Sequence, residues 1–200
     1  MKSALSVLLA LTVSTPALAA GQLPQTVAPV LYDITVRPDA KALTFAGEET
    51  VDVDVKQATA TIVLNAAELT VTRATFDGKP VPFALDKTAQ TLTLTLPQAA
   101  SVGRHKVGFA WTGTINRSAN GLFAIDYSNA DGSQARMLAT QFEAPDARRF
   151  APMWDEPAFK ARFRLSATAP KGQRAISNMP AASVTPRPTA PSSIASAKRR

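Results

Sequence analysis

The chain has 200 residues, 46% apolar and 18% charged, with a formal net charge of +7, one histidine and no cysteine. At about 100 to 200 residues per domain, this length allows one domain with appendages and excludes a large multidomain enzyme; the apolar share supplies a core and argues against wholesale disorder. Without cysteine there is no disulfide, thiolate metal site or thiol nucleophile, and a lone His105 excludes a multi-histidine metal site and argues against a Ser/His/Asp triad.

In chain order, Lys2, the apolar run Ala4 to Val13, the helix breaker Pro16 and the small residues around Ala17 to Ala19 read as a secretory signal peptide over residues 1–20, cleaved near Ala19 or Ala20. Its run of about ten apolar residues falls short of the roughly twenty that a membrane-spanning helix needs. No later segment is long and apolar enough to span a bilayer as a helix. The expected product is a soluble exported protein, periplasmic or secreted.

From Tyr32 to Ala169 the hydrophobic period is two. Val51, Val53 and Val55 share one face while Thr50, Asp52 and Asp54 share the other, as in a half-buried antiparallel strand over Glu49 to Val55. Thr91 to Leu96 alternates in the same way, and further strands are expected at Leu31 to Val36, Thr61 to Leu64, Leu69 to Phe76, Lys106 to Trp111, Leu122 to Tyr127 and Met137 to Phe142. Phe159, Ala161, Phe163, Leu165 and Ala167 alternate with polar residues and predict one more half-buried strand. Turn signals fall at Asp77-Gly78, Ala100 to Gly103, Asn120-Gly121 and Asp131-Gly132, with the first and third of these typical hairpin dipeptides. Residues 21–180 are therefore expected to form an all-β, multi-sheet sandwich. Residues 181–200, with three Pro, four Ser, five Ala and no aromatic, read as a disordered tail or as the product of a shifted reading frame.

The net charge is concentrated at the two ends. Lys2, Arg187, Lys198, Arg199 and Arg200 account for five of the 22 basic residues, so residues 21–180 hold 17 bases against 15 acids, a balance of +2. With two Trp and two Tyr and dispersed charge, nucleic acid is not an expected partner. Asp52, Asp54 and the pair Glu48-Glu49 read as solvated residues of a strand's polar face. His105 stands between Arg104 and Lys106 with no acid nearby in sequence to orient it, and reads as a surface histidine. Asn116-Arg117-Ser118 matches a glycosylation sequon, a short pattern frequent by chance. GxSxG, a glycine-rich phosphate loop and HExxH do not occur.

The informative stretch is Thr140 to Pro157, TQFEAPDARRFAPMWDEP. A strand delivers Gln141 and Glu143 on one face; Asp146, Arg148 and Arg149 then crowd together, and Trp154-Asp155-Glu156-Pro157 closes with a rigid turn. By residue type alone this is an ion-pair network that fixes a loop.

With Phe159-Lys160-Ala161, Ile176 to Pro180, Leu23-Pro24, Phe45 to Glu48, Leu64-Asn65-Ala66 and Gly121-Leu122-Phe123, this stretch resembles the N-terminal domain of the M1 family of zinc aminopeptidases. The likeness runs from about residue 22 to 180. Ala151 and Met153 depart from the Phe and Cys common in the family. The resemblance implies a saddle-like all-β domain packed on a catalytic domain, in which Glu143 helps to anchor the free α-amino group of a peptide and Gln141 lines the pocket for its first side chain. A carboxylate favours a cationic amine, and measuring from that anchor confines cleavage to the first peptide bond.

Asp146, Arg148, Arg149, Asp155 and Glu156 are expected to brace this strand and loop. The family's catalytic and zinc-binding residues, the GAMEN and HExxH motifs with their tyrosine, have no counterpart in this sequence, so no catalytic or metal-ligating residue is assigned here. The expected chain is a fragment inactive alone, with zinc and the catalytic domain belonging to a complete parent enzyme; a fragment lacking strands is expected to be marginally stable and prone to aggregate. The alternatives are a standalone exported β-sandwich that binds peptide N-termini or another protein without catalysis, and a purely structural domain.

Overall fold

The computed structural model describes residues 21–170 and 172–185. The expected leader lies outside the described residues, as does the tail from residue 186 onward. The chain divides into a first unit ending at Thr168 and a second beginning at Ala169. The described part of the second contains neither helix nor strand.

The described part of the first unit is all-β. Its strands are β1 (Val27–Asp39), β2 (Thr44–Val55), β3 (Thr59–Asn65), β4 (Leu69–Phe76), β5 (Lys79–Pro80), β6 (Phe83–Asp86), β7 (Thr91–Ala100), β8 (Gly103–Thr114), β9 (Gly121–Ser128), β10 (Gln134–Gln141) and β11 (Arg162–Ala167), with one 3-10 turn at Ala147–Arg149. Six strands form a large sheet in the order β11-β1-β2-β8-β4-β5, three form a second in the order β3-β7-β6, and β9 and β10 form a separate ribbon. Every pairing is antiparallel except that of β11 with β1.

The alternation seen in the sequence becomes one core shared by the two larger sheets. Phe45, Val51, Val53 and Val55 of β2, Val107, Phe109 and Trp111 of β8, and Leu92, Leu94 and Leu96 of β7 are buried together. In β1 the register shifts between Pro29 and Leu31. That bulge reverses the parity, so Val27 before it and Tyr32, Ile34 and Val36 after it all face inward. Two glycines in the large sheet make room for aromatic rings directly across the ladder. A Cβ at Gly47 would lie 2.2 Å from Trp111, its register partner, and one at Gly113 would lie 2.5 Å from Phe45, its own partner.

Four expectations need correction. Asp77-Gly78 does turn β4 into β5, with both residues at positive φ (48° and 77°) as a type I′ turn requires. Asn120-Gly121, however, is not a hairpin. Both edges of β8 are already paired, to β2 and β4, so the chain leaves the sheet and β9 pairs with β10 instead.

The strand expected from Phe159 starts only at Arg162 and is not half-buried. It lies at the sheet edge with all six residues exposed, although the Phe163 ring stacks on Tyr32 at 4.8 Å and Phe159 and Ala161 pack against the core. Alternation reports which face a residue shares, but not whether that face is covered.

Glu49 is not solvated. It has the odd parity of the valines, stands between Ile34 and Phe109 in the ladders and is 5% exposed, with neither carboxyl oxygen hydrogen-bonded among the described residues. Desolvation pushes its pKa well above the ordinary carboxylate range.

His105 does have an acid. The β4–β5 turn brings Asp77 Oδ2 within 2.8 Å of Nδ1, while Nε2 lies 3.0 Å from the carbonyl oxygen of Ser101 and the ring stacks on Phe76. Two acceptors facing the two ring nitrogens favour the imidazolium, in which both nitrogens donate. The Asp77 hydrogen bond, partly opposed by desolvation, accordingly raises the His105 pKa.

Two predictions follow from these groups. Glu49 keeps its proton on folding and loses it in the unfolded chain, so it removes stability progressively as pH rises from the ordinary glutamate range toward its raised folded value. Glu49→Leu should therefore stabilise the chain at pH 8 by about 1–3 kcal/mol, the cost of unpaired buried polar atoms, and by less at pH 4.5; urea denaturation at both pH values would show it, and equal stability of the two chains at pH 8 would contradict it. For His105 the raised pKa adds stability that is complete below about 6.5 and is lost as pH climbs through the folded value. The partner Asp77 is about half exposed, so the difference between wild type and His105→Gln should shrink by no more than about 1 kcal/mol between pH 5.5 and 8.5.

Candidate functional site

β10 ends at Gln141, opposite Gly121 of β9, and there the chain leaves the ribbon. Gln141 Oε1 accepts the Glu143 amide N–H at 2.8 Å, so the first side chain fixes the backbone that carries the second. A cis Ala144-Pro145 peptide follows, and the Asp146 N–H donates to the Glu143 carbonyl at 3.3 Å. Phe142 between them tilts against Phe150 at 5.1 Å, and Phe150 stacks on Phe45 of the core at 6.0 Å. The Glu143 carboxylate is exposed, and among the described residues it has no cationic partner.

The five charged residues of the motif lie beneath this strand end as two separate pairs and one strap. Arg148 Nε donates to Asp155 Oδ2 at 2.9 Å, and its backbone N–H reaches the same oxygen at 3.2 Å. Its remaining donors go to the Asp155 carbonyl and to Gln90 Oε1. Both side chains are almost buried, at 13% and 12% exposure. Arg149 instead bonds Asp146 Oδ1 at 2.8 Å and pairs with Glu68. Glu156 is the strap, since its Oε1 accepts the Leu23 N–H at 2.7 Å and ties the WDEP turn to the start of the chain's first unit. Gly121 at φ 59° lets β9 begin against this turn, because a Cβ there would stand 2.9 Å from that of Arg149.

Several residues of this site carry no signal in the charge pattern. Asn65 exchanges both backbone hydrogen bonds with Met153 at 2.8 and 2.9 Å, and its Oδ1 accepts the Asp155 N–H at 3.1 Å. Tyr32 Oη accepts the Trp154 N–H at 3.0 Å, and Trp111 Nε1 donates to the Phe150 carbonyl at 2.9 Å. Asn65, Glu68 and Gln90 come from strands or turns 50 to 90 residues upstream. The available clue was Asn65, a polar residue at the end of an apolar strand.

Chemically, the strand end offers one solvent-facing carboxylate on a fixed backbone, which suits capture of an ammonium group. The described residues contain no cluster of three or more His, Asp or Glu that could hold a metal ion, and the one histidine is engaged by Asp77 and Ser101. The donor set here does not fit zinc.

Comparison with known proteins identifies the family. Residues 28–193 match the family model of the Peptidase M1 N-terminal domain. The chain is 45% identical to an aminopeptidase N of Acetobacter pasteurianus over 172 residues, which are 86% of this chain and 48% of that protein. It is 40% identical to aminopeptidase M1-C of rice (Oryza sativa subsp. japonica) and 31% identical to endoplasmic reticulum aminopeptidase 1 of Homo sapiens, in each case over 80% of this chain and under a fifth of the relative. The chain thus spans about half the length of its bacterial relative and far less of the others. With the family model covering most of its residues, the chain belongs to the M1 aminopeptidase family and corresponds to that family's N-terminal domain.

Proposed function

We propose that this chain is the N-terminal domain of an exported M1 zinc aminopeptidase, and that Glu143 and Gln141 form part of the site that receives the amino end of a peptide. The observation that carries the reading is the Glu143 carboxylate, solvent-facing, without a cation among the described residues and set on a backbone fixed by Gln141. A free α-amino group is the complementary ligand, and Gln141 beside it would meet the first side chain. M1 aminopeptidases are zinc enzymes, and zinc bound by the catalytic part of such an enzyme supplies the activated water. This domain contributes recognition, and the leader read at residues 1–20 supports export.

Anchoring by a carboxylate selects substrate by charge and by length, because the distance from anchor to reacting centre admits only the first peptide bond. It works only if the carboxylate does not drift. The bracing beneath it, Arg148 with Asp155 and Arg149 with Asp146 and Glu68, together with Phe142 packed on Phe150, supports that requirement.

The test is a chimera in which residues 28–180 replace the matching segment of the Acetobacter pasteurianus aminopeptidase N. It should cleave an amino-acyl anilide. Glu143→Gln should then lower kcat/KM by roughly 10- to 100-fold, the scale of one charge-assisted hydrogen bond, without changing the melting temperature; unchanged kcat/KM in that variant would refute the anchor. In the isolated chain, Asp155→Asn should cost about 3 kcal/mol in urea unfolding by leaving the Arg148 guanidinium nearly buried without its charge partner. A loss below about 0.5 kcal/mol would show the brace to be dispensable.

A further inference from the structure

The outer face of the large sheet, opposite the core, is a ladder of matched charges. Glu48 pairs with Arg37 at 3.1 Å and stands 3.9 Å from Arg73; Asp33 pairs with Arg164 at 2.7 Å, and Asp52 with Lys106. Asp33, Glu48 and Asp52 each have their base. At the end of the face where β1 begins and β2 ends, the matching breaks down. Lys56 pairs with Asp54, but Arg104, Lys160 and Arg162 have no carboxylate partner among the described residues.

These groups converge because of the register. Ala28 of β1, Asp54 of β2 and Arg104 of β8 lie in one row across three strands, and Arg162 stands beside Leu31 one step further along. The segment that leads into β11 then crosses the end of the sheet and adds Lys160. Together they enclose an open groove of about 650 Å³, with Pro29, Val30 and Phe159 among its apolar lining. Four cations and one carboxylate line it, a charge of +3 in one concavity. Asp54 answers to this field: the hydrogen bond from Lys56 and the nearby charges of Lys56 and Arg104 hold its pKa below the ordinary carboxylate value.

Like charges gathered in one concavity repel one another, and a bound anion relieves that repulsion while meeting the planar donors of the two arginines. We propose that this groove binds a small organic anion carrying two or more negative charges, a phosphate ester or a polycarboxylate, with Arg104, Arg162 and Lys160 holding the charge and Pro29, Val30 and Phe159 taking the carbon body. The volume lies within the range of small-molecule pockets. The site lies on elements other than those that carry Glu143, so this inference is independent of the amine anchor.

The test is calorimetric titration of the full chain with inorganic pyrophosphate and, separately, with citrate, at ionic strength held constant with sodium chloride. At least one probe should bind saturably with Kd below about 1 mM, and which of the two binds distinguishes phosphate from carboxylate recognition. In Arg104→Ala/Arg162→Ala the affinity should fall at least about tenfold, as expected for lost charge-assisted hydrogen bonds. Arg73→Ala, on the same face but outside the groove, should leave it within about twofold. If the double variant melts early, Lys160→Glu, outside any strand, should show the same loss in a chain of normal stability. Absence of saturable binding by both probes up to about 10 mM would overturn the proposal, as would an Arg73→Ala chain weakened as much as the groove variant.

Discussion

The irregular segment from Phe142 to Pro157 has no ladder of its own, and it can be buried only because core side chains meet its backbone polar groups. Trp111 donates to the Phe150 carbonyl, Tyr32 accepts the Trp154 N–H, and Asn65 exchanges two backbone bonds with Met153 while its side chain takes the Asp155 N–H. A buried backbone group without a partner costs about as much as a lost hydrogen bond, so these contacts decide whether Phe150, Ala151, Met153 and Trp154 can sit in the core at all. The two pairs Arg148–Asp155 and Arg149–Asp146, whose side chains are mostly buried, then fix the loop. Trp111 in turn can lie flat only because Gly47 has no side chain, which connects a small residue on β2 to the loop that carries the candidate site.

Much of the strand pattern was legible because each strand of the large sheet buries one face, and a period of two records that directly. Leu69–Phe76 is read from the sequence with the bounds it has in the fold, and Glu49–Val55 is the C-terminal half of a longer β2. What the period does not carry is partnership. It gives no sign that β8 is paired on both edges and so sends Asn120-Gly121 out of the sheet, or that β11 would lie uncovered at an edge. Nor could local sequence show that Asp77 reaches His105, since the β4–β5 turn closes a contact across 28 residues. Glu49 is a different case. Its parity with Val51 and Val53 was visible in the sequence, and the ordinary rule that carboxylates face water outweighed it.

The candidate site was legible only in part. Charge clustering in DARR and WDEP marks a braced loop, and the braces are built from those residues. Nothing in the residue types singles out Gln141 or Glu143, for an exposed glutamine and glutamate at a strand end are commonplace; their role rested on family resemblance. Asn65, Glu68 and Gln90 were hidden because each comes from another sheet or turn and acts through geometry that spacing along the chain does not encode.

β2 shows how one strand can serve opposite electrostatic ends. Its outward acids, Glu48, Asp52 and Asp54, keep their charge beside bases that the neighbouring strands or β2's own end supply, and they lie in water where such pairs are weak and salt-sensitive. Its inward acid, Glu49, is buried with no base beside it among the described residues, and desolvation keeps it protonated. Nearby, the phenol of Tyr32 is also held neutral, by burial first and by the Asp155 carboxylate in addition. Were Glu49 to ionise, its charge would stand beside the hydroxyl that accepts the Trp154 N–H. The protonated state of the core carboxyl therefore keeps an uncompensated charge away from that contact.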